Sequence, residues 1–104
     1  MATKNQQINQ FEISGKAIHV GQPESYVGKN NVTKITRKLV MEVFCGNYAD
    51  EVEFFFDQSN MNNLLQIKDG DWVTISFCLK GTKSLKDGKA RWYPKLEGLT
   101  CIKG

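Results

Sequence analysis

Residues 68–101 read KDGDWVTISFCLKGTKSLKDGKARWYPKLEGLTC, and the fold turns on this stretch. Val73, Ile75, Phe77 and Leu79 alternate with Thr74, Ser76 and Cys78, the period-two pattern of a strand with one buried face. Lys86-Asp87-Gly88-Lys89 supplies a two-residue Asp-Gly turn, a strong short-range hairpin signal. The pattern predicts two long strands joined by a basic arm. That arm carries Lys80, Lys83, Lys86, Lys89, Arg91 and Lys95 against one acid, Asp87, with Trp92 and Tyr93 inside it. With Asp87-Gly88 at the centre of the hairpin, Cys78 falls opposite Glu97 and Cys101 opposite Thr74.

Upstream, Met61, Leu64 and Leu65 fall at i, i+3 and i+4, one face of a short helix that Ser59 or Asp57 would cap. Gly70 stops it. Such a helix is too short to stand alone, so it must rest on a sheet. Before it, EVEFFFD (residues 51–57) reads as a strand with Val52, Phe54 and Phe56 on one face and Glu51, Glu53 and Phe55 on the other. TKITRKLVMEVF (residues 33–44) is another, dividing Leu39, Met41 and Val43 from Lys38, Val40, Glu42 and Phe44. Phe11, Ile13, Ile18 and Val20 make the first strand. Gly15 interrupts it, as at a bulge or a bend where a strand passes between sheets. Residues 21–32 read as a polar loop bearing Tyr26 and Lys29, and residues 1–9 as a polar, flexible tail before one domain over residues 10–104.

Bulk composition bounds the function. A chain of 104 residues, 40% hydrophobic, is one domain whose core needs neither metal nor disulfide. The net charge of +3 permits a polyanionic partner without demanding one. Three widely spaced cysteines, Cys45, Cys78 and Cys101, form no CxxC and argue for free thiols in a reducing compartment. No apolar run is long enough to span a bilayer and the N-terminus lacks a signal-peptide core, so the expected location is cytoplasmic. His19 is the only histidine, and no Ser-His-Asp set, HExxH or phosphate-cradling glycine loop is present. The expectation is therefore no catalysis, no metal and no cofactor.

Five strands with a short helix between the third and fourth is the order of the OB-fold: an all-β, five-stranded antiparallel barrel. The segments LQIKDGDWVTISFCLKG and GKARWYPKLEGLTCIKG resemble the carboxy-terminal half of small OB-fold single-stranded-DNA-binding proteins of Bacteroides-type bacteria and their phages. Gly70-Asp71 before strand four, the Val73/Ile75/Phe77 alternation, Trp92-Tyr93 followed by Leu96, and Gly15-Lys16 with Ile18 carry that resemblance. It implies a single-stranded-DNA partner, with RNA left open, in replication, recombination or repair. It also implies a homo-oligomer by analogy, in a bacterial cell or a phage-infected host. Pro94 in strand five and an ending without the family's acidic recruiting tail are departures from the pattern.

OB-folds bind across strands two and three, flanked by the loops between strands one and two and between four and five. An unspecific strand binder needs cations for phosphates and ring faces for bases. Parity puts Lys34, Lys38 and Phe44 of strand two on that surface, with Arg37 beside them, and Phe55 of strand three. The first loop adds Tyr26 and Lys29, and the arm adds Lys80, Lys83, Lys86, Lys89, Arg91, Trp92 and Tyr93. Glu42, Glu51 and Glu53 share the surface and would repel phosphate. They keep a second reading open, a protein-interaction or assembly module with Phe55 in a subunit interface. An oligosaccharide-binding module ranks last, since nothing suggests secretion.

Overall fold

The computed structural model describes residues 8–104. Six strands appear: β1 (Phe11–Val20), β2 (Glu24–Val27), β3 (Thr33–Cys45), β4 (Tyr48–Asp57), β5 (Trp72–Lys86) and β6 (Lys89–Lys103). Five of them close a barrel in the order β1-β5-β6-β4-β3 and back to β1, while β2 pairs only with β3. Four contacts around the ring are antiparallel, and the fifth, Phe55 of β4 beside Glu97 of β6, is parallel. The all-antiparallel expectation is thus corrected to a mixed sheet. The reason is arithmetic: strand directions cannot alternate all the way round an odd-numbered ring.

Gly15 lets β1 bend between two neighbours in the closed sheet. Residues 11–16 pair with β5 and residues 16–20 with β3, with a bulge between Ala17 and His19. A Cβ on Gly15 would collide with the Glu42 carbonyl and the Met41 side chain. The bulge keeps Ala17 in the core, where its amide donates to the Asp71 carbonyl at 2.7 Å. Residues 1–7 of the expected tail lie outside the described residues; Asn9, at its end, holds the start of the arm: its amide group donates to the Leu79 carbonyl (2.8 Å) and accepts from the Leu79 amide (2.9 Å).

The expected helix is a single 3-10 turn, Met61–Leu64. At three residues per turn, Met61, Leu64 and Ile67 align, so Leu64 and Ile67 enter the core while Leu65 turns to solvent. The side chains around it favour turns over an α-helix. Asp57 Oδ1 accepts from both the amide and the hydroxyl of Ser59, so Ser59 is a donor here and caps no helix. Asn63 donates to the Asn60 carbonyl at 2.7 Å. The loop expected over residues 21–32 folds further than anticipated: β2 runs antiparallel to the start of β3, and Asn30 and Asn31 make the turn with positive φ angles of 65° and 57°. Asparagine tolerates that region better than most residues.

The core is assembled from inward positions of every barrel strand: Ala17, Leu39, Met41, Phe54, Phe56, Val73, Ile75 and Cys101, with Leu64 and Ile67 below. Phe54 meets Phe77 edge-on with ring centroids 5.3 Å apart. Gly98 leaves room for Phe56, whose ring a Cβ there would strike. Just after Gly98, β6 gains one residue against β5, so Cys101 faces Ile75 and not Thr74. Cys78 does face Glu97. Asp87 and Gly88 form the tip, both with positive φ (53° and 76°), as a type I′ turn requires.

Candidate nucleic-acid interface

The outer face of β3 and β4 is a ladder of cross-strand pairs. Thr36 faces Asp57, Lys38 faces Phe55, Val40 faces Glu53, Glu42 faces Glu51 and Phe44 faces Ala49. On one side β2 curls over this face and sets Tyr26 opposite Lys34. On the other, β6 touches β4 at Phe55 and Glu97 and then diverges. The space between is a groove of about 720 Å³ whose lining includes Tyr26, Thr36, Lys38, Phe55 and Lys95 and also Glu24, Glu51 and Glu53. A second hollow of about 410 Å³ continues it past Lys34 and shares Tyr26, Thr36 and Phe55. Phe55 is half-buried at the centre, with the Lys95 ammonium 6.0 Å from its ring centroid.

Beyond Leu79 the β5–β6 ribbon leaves the barrel and projects as an arm with two unlike faces. Opposed residues in an antiparallel pair lie on the same face. One face holds Lys80 with Lys95, Thr82 with Tyr93, Ser84 with Arg91 and Lys86 with Lys89. The other holds Leu79 with Leu96, Gly81 with Pro94, Lys83 with Trp92 and Leu85 with Ala90. Because Glu97 belongs to the first set and faces Phe55, the cationic face continues the outer face of β3–β4. The apolar face continues the inward side, where Phe77 packs, but among the described residues no barrel strand lies beneath it.

At the root, Glu97 Oε1 lies 3.6 Å from Lys80 Nζ and accepts from the Cys78 thiol at 3.4 Å. Desolvation, and then the Glu97 carboxylate, push the Cys78 thiol above its ordinary pKa and keep it protonated. At the tip, Lys86 stands directly opposite Lys89, a like-charge pair that costs stability.

These pairings sort the residues expected from sequence. Tyr26, Lys34, Lys38 and Phe55 meet in the groove, and Lys80, Lys86, Lys89, Arg91 and Tyr93 share the cationic face of the arm. Tyr93 is 49% exposed and Trp92 68%, but Trp92 lies on the apolar face with the Lys83 ammonium 5.7 Å from its ring. Lys29 sits in the turn between β2 and β3. Arg37 stands apart: it pairs with core-facing Phe56, and its Nε donates to the Gly21 carbonyl at 2.7 Å, pinning the end of β1. Phe44 is 61% exposed but lies at the β3–β4 tip, away from the groove. Lys95 completes the groove and was absent from the expected set. Its signal was present in the period-two run Arg91, Tyr93, Lys95.

Among the described residues no group of three or more His, Cys, Asp or Glu is placed to hold a metal, and His19 is exposed. No helix among them is long and apolar enough to cross a membrane. What the surface offers is a row of cations and rings that can hold a polyanion with planar groups.

A family model described as "Domain of unknown function (DUF3127)" matches residues 12–101. No curated protein matches the sequence. Among solved structures, the mitochondrial single-stranded DNA binding protein Rim1 of S. cerevisiae superimposes with a TM-score of 0.65 at 12% identity, over 94% of this chain and 96% of that one. The Plasmodium falciparum SSB in complex with ssDNA superimposes with a TM-score of 0.56 at 16% identity, over 97% and 98%. The fold is therefore the OB barrel of these single-stranded-DNA-binding proteins.

Proposed function

We propose, for a chain that belongs to the family described as a domain of unknown function (DUF3127), a role in binding single-stranded DNA without reading its sequence. The observation that carries the reading is the arm's outer face. Lys80, Lys86, Lys89, Arg91 and Lys95 line it with Tyr93 among them, and the face runs into the Phe55 groove. Cations take the phosphates and rings stack on bases, which serves any base because each has a π-face. The protein holds the strand and does no chemistry on it. Its place is in replication, recombination or repair inside a cell, as a homo-oligomer by analogy with binders of this size. The fold likeness to single-stranded-DNA-binding proteins supports the reading.

The test is anisotropy of labelled oligo-dT across a salt series. Affinity should fall as salt rises, with a log–log slope of about −0.7 per phosphate contacted. Reversing Lys86, Lys89 and Arg91 to glutamate should abolish binding while leaving thermal stability and mass in solution unchanged. No binding of oligo-dT at low salt would sink the proposal.

The carboxylates in the groove lining favour a second reading, a module that docks a basic segment of another protein over Phe55. Under it, the same reversals leave the partner's affinity unchanged, and Glu51→Lys with Glu53→Lys removes it.

A further inference from the structure

We infer, resting on the binding reading above, that the strand crosses the β3–β4 face at Lys38 and Phe55 and is stopped by Glu51 from running along that face to the β3–β4 tip. The rows of the outer face set the route. Crosswise from Lys38 on β3 come Phe55 on β4, Lys95 on β6 and then the arm, with Lys34 four residues back along β3 on the side away from the tip. Lengthwise, the two rows beyond Lys38 and Phe55 are Val40 with Glu53 and Glu42 with Glu51, three carboxylates and no cation on either strand. Lys16 of β1 neighbours Glu42 from the far side.

The two sets of acids are held differently. On the crosswise route, Glu97 is occupied by Lys80 and the Cys78 thiol, and Asp57 by Ser59. Glu24 alone on that route, opposite Thr36, has no such partner. Glu42, Glu51 and Glu53 form no ion pair or side-chain hydrogen bond among the described residues, although Glu42 and Glu51 face each other directly. That like-charge pair is itself costly, and a phosphate placed over it would add a third negative group. The wall leaves Phe44 stranded at the tip of that face, an exposed ring beyond the strand's reach.

The experiment measures affinity for a length series of oligo-dT. It compares the wild type with Glu51→Lys and with Glu12→Lys, which makes the same charge change on the outer face of β1, opposite Ser76. Wild-type affinity should level off at the short end of the roughly 4–16 nucleotides that one OB-fold covers. Glu51→Lys should move that plateau to longer oligomers and steepen the salt slope by about 0.7 per added phosphate. Glu12→Lys should leave the plateau in place. Phe44→Ala should be silent in the wild-type background and weaken binding of long oligomers in the Glu51→Lys background. Equal plateaus for the two lysine variants, or a wild-type loss from Phe44→Ala as large as that from Phe55→Ala, would overturn the route and leave the binding function standing. Absence of any oligo-dT binding would overturn both.

Discussion

The two halves of the β5–β6 ribbon follow one alternation and meet opposite fates. In the lower half, Val73 and Ile75 are fully buried. In the upper half, Leu79 and Leu85, in the same phase on the same strand, are exposed. The difference lies in what stands beside them. β1 pairs with β5 only as far as Phe11 opposite Phe77, and Asn9 then closes on the Leu79 backbone. Among the described residues, above that point β5 has only β6. Alternation tells which face a side chain takes; neighbouring strands decide whether that face is covered.

The sharpest way to break this comparison is to hollow out each half. Phe56→Ala should cost about 3–5 kcal/mol, while Leu85→Ala should change stability by less than about 0.5 kcal/mol. Urea unfolding decides it, and similar losses would mean that the arm packs on something in solution. Glycines give a second contrast. Gly98→Ala must displace the Phe56 ring and should cost about 1–3 kcal/mol, whereas a Cβ on Gly81 meets nothing within 4 Å, so Gly81→Ala should stay within about 0.5 kcal/mol.

Two smaller effects sharpen the contrast through titration. At the barrel end, the Lys68 amide donates to the Asp71 carboxylate at 2.9 Å. That bond, with Lys103 Nζ at 3.4 Å adding to it, holds the Asp71 carboxyl below its ordinary pKa. A folded pKa below the unfolded one gives stability that is complete above pH 3.8 and lost as pH falls through the folded value. Unfolding followed from pH 5 to pH 2 should therefore be less pH-dependent in Asp71→Asn than in the wild type. Burial pushes the Cys101 thiol up to about 11 from 9.0, so its contribution fades as pH rises across that interval. Thiol labelling at neutral pH should modify exposed Cys45 first, Cys78 more slowly and Cys101 only on unfolding. Early labelling of Cys101 would contradict its burial.

Much of this was legible in residue order. The Asp87-Gly88 tip, the Gly15 crossing and the inward sets of β3 and β4 follow from local rules of turn chemistry, backbone space and parity. The cations of the arm were countable, and Lys95 was recoverable from its phase with Tyr93. Other features were not legible. The extra residue after Gly98 moves Cys101 by one register position, and only the packing of Phe56 and the pairing with β5 show where it falls. The Met61–Leu64 segment carries an apolar pattern compatible with either helix type, and its asparagines decided for the tighter turn through bonds to Asn60, Gly98 and Leu99.

What the sequence by itself determined is the phase of β3, β4 and β5 and the place of the hairpin tip, because both depend on residues a few positions apart. What only the tertiary structure decided is which faces are covered and which are joined. The parallel contact of Phe55 with Glu97 turns two surfaces into one, linking the arm's cations to the groove. That contact joins residues 42 positions apart. Its partner is chosen by closing an odd-numbered ring around the Phe54 and Phe56 core, a condition that no single stretch of the chain contains.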